Sequence, residues 1–207
     1  MSGSKEYFDE KAATWDDEPR RADMARAVAE KIRETLPINE KTEAMEFGCG
    51  TGLVSAMLAN SVKSITAVDT SEQMLRTLDV KLQKNNIRNI KTKRADLTKE
   101  KPFGEKFDLI FSSMVFHHID NIKVLLGKFH QMLRDGGRVA ISDLDTEQGF
   151  HDYEVAHKGF DRDKFAAWLE EAGFGSINEQ TAYVINKPDA RGVLREFPIF
   201  LITAVKK

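Results

Sequence analysis

Glu46-Phe47-Gly48-Cys49-Gly50-Thr51-Gly52 is the stretch on which the reading of this chain turns. Residues 42–47 have strand character and residues 52–60 have helical character, so the glycines sit where a strand hands over to a helix. Glycines two apart permit positive φ and let the backbone come close to a ligand. The unpaired N–H groups that open the following helix favour a carboxylate or phosphate at that point. A glycine turn alone is a weak sign, and its neighbours decide what it means.

Reading outward, residues 64–68 form a second strand. Thr70-Ser71-Glu72-Gln73 then has the form of a capping box, with Thr70 as N-cap and Gln73 reaching back. It predicts a helix of roughly fourteen residues ending near Asn85-Asn86. Residues 89–94 read as a third strand and 107–112 as a fourth, whose near-continuous apolar character suggests burial on both faces. A stripe of Ile122, Leu125, Leu126, Phe129, Met132 and Leu133 marks the next helix. Asp135-Gly136-Gly137 is expected to end it before a fifth strand at 138–142. After Asp145 a polar stretch runs to Gly159, followed by a helix at 161–172 with Phe165, Trp168 and Leu169 inward and Gly173 as its stop. Two further strands, around 177–185 and 197–205, have no helix-length pattern between them and should pair antiparallel. Ahead of the first strand, Phe8, Ala12 and Trp15, then Met24, Val28 and Ile32, mark two helical pieces separated by Pro19, with Pro37 closing the second. The expected fold is α/β: a Rossmann-like, seven-stranded, mostly parallel sheet with one antiparallel strand and helices on both faces.

Two carboxylates fall at strand ends. Asp69 ends the second strand, 17 residues beyond Gly52. There it can accept hydrogen bonds from both hydroxyls of a ribose, or it can simply stabilise the dipole of the next helix. Asp96, after the third strand, can take the exocyclic amine of an adenine or can belong to a strand-ending turn.

Together these residues resemble the class I methyltransferases that use S-adenosylmethionine, in the small-molecule branch that includes menaquinone/ubiquinone-type methylases. The family's first motif is an acidic residue followed by Gly-x-Gly-x-Gly, here Glu46, Gly48, Gly50 and Gly52. A dinucleotide enzyme would place its third glycine or alanine where this chain has Leu53. The likeness runs through Asp69, Met74, Asp96-Leu97, the strand and loop at 107–118, and Gly136-Gly137-Arg138-Val139, covering residues 42–145. It implies that Phe47, Gly48, Cys49, Gly50 and Gly52 hold the methionine portion of the donor, with Glu46 near its amine. Asp69 and Thr70 would meet the ribose. Met74, Asp96 and Leu97 would meet the adenine, and Ser112 and Ser113 would border the same site. Methyl transfer by in-line displacement would leave S-adenosylhomocysteine. The implied domain is one unit over residues 1–207: an N-terminal helical cap at 1–38, a donor-binding core at 39–145, and an acceptor-shaping segment with the last strands at 146–207.

The acceptor is addressed by three groups of residues. His117-His118 follows the fourth strand, on the side where open α/β sheets bind ligands. His117 is the expected catalytic base and His118 an acceptor contact; alternatively, one packs in the core and the other caps the next helix. Asp143, His151, Tyr153 and His157 border the long segment after the fifth strand, with no spacing that indicates a metal site. Tyr7, Phe8 and Trp15 form an aromatic stripe that either closes over the donor as a lid or packs in the core. Missing motifs narrow the acceptor. The fourth strand is not followed by the Asn/Asp-Pro-Pro-Tyr string of DNA and RNA amino-group methylases, no Pro-Cys pair is present, and one cysteine is too few for arsenite chemistry. A small organic acceptor remains.

Composition agrees with this. The chain has 207 residues, 41% hydrophobic and 31% charged, with mean hydropathy −0.43. No run approaches the roughly 18 apolar residues of a membrane helix, and no secretory signal is visible at the N-terminus, so a cytoplasmic, soluble protein is expected. A net charge of −2 disfavours nucleic acid. The basic cluster Lys84, Arg88, Lys91, Lys93 and Arg94 reads as a solvated helix end and strand edge. Two rivals stay open. One is an NAD(P)-binding oxidoreductase, whose short-chain branch needs a Tyr-x₃-Lys pair on a late helix; here that spacing occurs only at Tyr7/Lys11 and Tyr183/Lys187, neither suitably placed. The other is a regulator that binds the adenosyl ligand without catalysis. Oligomeric state is left undetermined.

Overall fold

The structure, a computed structural model, describes residues 2–146, 150, 155–188 and 192–207. Seven strands form one sheet: β1 (Glu43–Phe47), β2 (Ser64–Asp69), β3 (Ile90–Arg94), β4 (Phe107–Ser113), β5 (Leu133–Leu144), β6 (Phe174–Pro188) and β7 (Leu194–Lys206). Their order is β3-β2-β1-β4-β5-β7-β6. β1 to β5 pair in parallel, while β7 runs antiparallel to both β5 and β6, so β7 is the one reversed strand. The helices are α1 (Ser2–Lys11), α2 (Pro19–Thr35), α3 (Leu53–Leu58), α4 (Glu72–Lys84), α5 (Ile122–Met132) and α6 (Arg162–Glu171).

Alternation along β1 explains the layering. Met45 and Phe47 point to a core shared with Leu125 and Phe129 of α5 and Phe165 of α6. Ala44, one residue out of phase, points to the opposite core with Val28 and Ile32 of α2, Val54 of α3 and Leu78 of α4. Burial on both faces is what a parallel sheet with covering helices requires. Because strand order reverses between β1 and β4, the loops after those strands diverge to opposite faces and leave a crevice at their carboxyl ends.

Four local expectations are corrected. The cap of α4 is Ser71, not Thr70: the Ser71 Oγ accepts from Met74 N at 3.1 Å, and Ser71 N donates to Asp69 Oδ1 at 2.8 Å. Asp69 thus anchors the residue after Thr70 and moves the cap one position on, and Gln73 takes no part in a capping box. Trp15 is not on the helix of Phe8, because Ala12–Asp17 tightens into a 3-10 turn. The Asp135-Gly136-Gly137 turn does not separate helix from strand. The helix ends at Met132, and the glycines lie within β5, where pairing with β4 slips between Phe107/Leu133 and Leu109/Arg138. Gly136 supplies the positive φ of 72° this irregularity needs. Finally, β6 and β7 outrun the expected strands, pairing as far as Pro188 with Leu194.

Among the described residues no helix is long and apolar enough to cross a membrane.

Candidate functional site

A cavity of about 630 Å³ opens over the crevice, reached by Phe47 at the end of β1, Asp69 at the end of β2, Ala95 just past β3 and Ser113 at the end of β4. The glycine turn forms one wall. Gly48, Gly50 and Gly52 all adopt positive φ, at 68°, 51° and 71°. A side chain at Gly48 would run into Val115, and one at Gly52 into Leu78, so the turn packs too closely for any larger residue there.

The carboxylates organise this wall. The Asp69 Oδ2 accepts from Gly50 N at 2.7 Å while Oδ1 takes Ser71 N, tying the glycine turn to the start of α4. Burial raises the carboxyl above its ordinary value, although backbone bonds from Ser71, Gly50 and Thr70 oppose this. Glu46 is buried below the turn and accepts from Ser55 N at 3.2 Å and from the Ser55 hydroxyl. Burial pushes Glu46 up to about 8, against the lowering effect of Ser55 and with a small addition from Asp69. Asp96 accepts from Thr98 N at 3.1 Å and pairs with Lys99 at 3.0 Å. Burial alone would raise its pKa, but the bonds from Thr98 and Lys99 outweigh it and hold the group below the usual carboxylate value. Burial also raises the Cys49 thiol well above its ordinary value, which keeps it a neutral lining group.

The far wall is built around a histidine pair on the 3-10 turn Phe116–His118. His117 Nδ1 lies 2.8 Å from Asp143 Oδ1, and His117 N donates to Asp143 Oδ2 at 3.2 Å. Asp143, fully buried at the end of β5, would be raised by burial; the charge and hydrogen bonds of His117, with Leu144 N, instead hold it below its ordinary value. An ionised carboxylate can only accept, so Nδ1 carries the hydrogen it receives, and Nε2 is the ring nitrogen left for proton exchange. The His118 ring centroid lies 4.1 Å from that of His117, and Phe8 meets His118 edge-on at 5.4 Å.

The N-terminal segment contributes a third part of the lining. Tyr7, Phe8 and Trp15 line it. Two aspartates tie the segment down: Asp9 takes the Ser71 hydroxyl at 2.5 Å, and Asp16 takes the Thr51 hydroxyl at 2.6 Å and Lys81 at 2.6 Å.

Of the residues singled out from sequence, Glu46, Phe47, Gly48, Cys49, Gly50, Asp69, Thr70, Met74, Asp96, Ser113, His117, His118, Tyr7 and Trp15 come together around the cavity. Four lie behind it. Gly52 starts α3, Leu97 is in the core, Ser112 donates to Phe47 O at 2.8 Å, and Asp143 stands behind His117. His157 braces the histidine turn instead of facing the cavity, through His157 N to His117 O and its ring to Ile119 O, both at 3.0 Å. His151 and Tyr153 fall outside the described residues. Sequence reasoning missed Arg20, Arg21, Met24, Met114, Ile185 and Lys187, which line the cavity from α2, the end of β4 and β6. No motif connects these segments; only the fold does. No group of three or more potential metal ligands occurs among the described residues.

The sequence profile of a family described as methyltransferase domain matches residues 20–179. An uncharacterized methyltransferase of Schizosaccharomyces pombe is 32% identical over 127 residues, 56% of this chain and 45% of that protein. A malonyl-[acyl-carrier protein] O-methyltransferase of Paenibacillus is 30% identical over 176 residues, 74% of this chain and 63% of that protein. The chain therefore spans about half to two thirds of the length of these curated relatives. Phosphoethanolamine N-methyltransferase 2 of Haemonchus contortus, solved with S-adenosyl-L-methionine, superposes with a TM-score of 0.68 at 15% identity over 84% of this chain and 51% of that one, a likeness of fold.

Proposed function

We infer the activity from one premise: this chain belongs to the methyltransferase domain family. The reading is that it moves a methyl group from S-adenosylmethionine to a small organic acceptor. The observation that carries it is the glycine turn held to Asp69 by the 2.7 Å bond from Gly50 N, in the cavity at the reversal of strand order.

The lining residues suit the donor. Backbone N–H groups of Gly50 and Ser71 hold the two Asp69 oxygens in place at the cavity, where the carboxylate can accept from ribose hydroxyls. Met74, buried at the start of α4, offers an apolar thioether surface for a purine, and Asp96 stands beside it to accept from an amine. Glu46 and the backbone of the glycine turn are the partners for the amino-acid end. The bound donor would supply a methyl carbon on a positively charged sulfur. The protein's task is then alignment and exclusion of water. The N-terminal segment, held by Asp9 and Asp16, acts as the lid. His117, oriented by Asp143, is the base for an acceptor that arrives protonated.

The test is thermal stabilisation by S-adenosylhomocysteine beside NAD and NADP. Ligand at 100 times its Kd should add about 2.7 kcal/mol of stability. A shift with NAD and none with S-adenosylhomocysteine would sink the reading. Asp69→Ala should weaken S-adenosylhomocysteine binding by about 1–3 kcal/mol in calorimetry, the scale of a lost charged hydrogen-bond partner.

A further inference from the structure

Part of the cavity lining, drawn from α2, the end of β4 and β6, is not used by the donor reading. Asp69 and Asp96 bring carboxylates to the turn side, Asp96 paired with Lys99. From α2, Arg20 and Arg21 share one carboxylate, Glu18, and the Arg21 guanidinium lies 3.7 Å over the Trp15 ring, whose neighbour Asp16 is bonded to Thr51 of the glycine turn. Lys187, on the extension of β6, adds a third cation. Its ammonium donates to the Phe150 carbonyl and sits 4.2 Å over the Phe150 ring and 5.8 Å from that of Phe197. Among the described residues these are the contacts of the ammonium, and all are neutral. The ammonium has three donors, and the carbonyl uses one.

Around this charge the wall is apolar. Met24, Met114 and Phe150 pack on a cluster that includes Ile185 and Phe197. A half-buried cation held in place against aromatic rings, beside thioether and aliphatic surface, is matched by a molecule with an apolar body and one oxyanion.

We propose that this part of the lining is a subsite for an amphipathic acceptor bearing a small oxyanion, a carboxylate or a phosphomonoester, which Lys187 receives while Met24, Met114, Ile185 and Phe150 hold its apolar part. The proposal rests on the methyl-transfer reading, which makes this the acceptor's side. The oxyanion is the anchor, and the subsite excludes acceptors that lack one.

The test is calorimetric titration of octanoate, octyl phosphate, octanol and octylamine into the full chain saturated with S-adenosylhomocysteine. One of the two anions, or both, should bind at least tenfold more tightly than octanol and octylamine, and the stronger of them identifies the anion. Lys187→Met, which keeps the apolar stem, should weaken that binding at least tenfold, leave S-adenosylhomocysteine affinity unchanged, and be rescued by Lys187→Arg. Octanol binding as tightly as the anions, no binding by any of the four, or an unchanged affinity in Lys187→Met would each overturn the subsite while leaving the donor reading intact. Failure of S-adenosylhomocysteine to bind would instead overturn the methyl-transfer reading, and the octyl series would still report on Lys187 in the unliganded chain.

Discussion

On the turn side of the cavity, Glu46, Gly50, Asp69 and Asp96 come from the ends of three neighbouring strands, and most of their bonds are to backbone N–H groups within the same turn or the next helix start. Elsewhere in the cavity, Met24 comes from α2, Met114 from the end of β4, His117 from the turn after it and Lys187 from β6, and side chains make the contacts there, to other side chains or to the backbone. The first arrangement is rigid because the backbone makes it. The second can be rebuilt by substitution without disturbing the sheet. That division suits a protein in which one ligand is common to a family and the other is particular to the chain.

The comparison breaks most completely at Gly52. Gly52→Val puts a β-branched residue at positive φ, at about 1–2 kcal/mol, and drives it into Leu78, at about 1–3 kcal/mol more. Chemical denaturation should report a loss near that sum, and S-adenosylhomocysteine binding should fall with it. A stable, binding-competent variant would show that the turn side is not held by backbone geometry.

Asp143→Asn should act only on the far side. An amide can donate as well as accept, so the His117 tautomer is no longer set, and methyl transfer to a protonated acceptor should fall about 10²-fold, the scale of general-base catalysis. Affinity for S-adenosylhomocysteine should hold. The same variant alters acid stability with a defined sign. Because the Asp143 value in the folded protein lies below its ordinary 3.8, it contributes stability above that pH, and this is lost as pH falls through the folded value. Asp143→Asn should therefore flatten the acid limb of a stability–pH curve. Equal loss of donor binding would join the two sides into one unit.

Glu46 gives the smallest effect and the sharpest one. Its folded value of about 8 lies above the ordinary 4.5, so it favours the folded chain below pH 4.5 and loses that contribution as pH rises through 8. At pH 7 the carboxyl is largely protonated, and a cationic ammonium brought beside it should drive the proton off. S-adenosylhomocysteine binding at pH 7 should release nearly one proton, seen as a dependence of binding heat on buffer ionisation enthalpy. Glu46→Gln should abolish the release. Release that persists in Glu46→Gln would place the titrating group elsewhere.

Much of the turn side was legible because its residues follow one another along the chain. Spacing alone separated Gly-x-Gly-x-Gly from the dinucleotide pattern, and the strand–helix alternation put Asp69 and Asp96 at strand ends. Even there, Ser71 displaced Thr70 as the cap of α4, because Asp69 bonds Ser71 N, a contact between a strand end and a helix start that propensity does not encode. Ser112 and Leu97 share their strand and loop with lining residues yet face inward, since side chains alternate across a strand and a single step reverses their direction.

Hydrophobic period and glycine conformation act over a few residues, so the sheet, its one reversed strand and the glycine turn could be read along the chain. The rest of the cavity lining depends on tertiary pairing. Lys187 reaches the cavity because β6 pairs with β7 as far as Pro188, and Asp143 meets His117 because β5 lies beside β4. Those contacts join residues with no shared local pattern, and it is the burial of both sheet faces that brings them together.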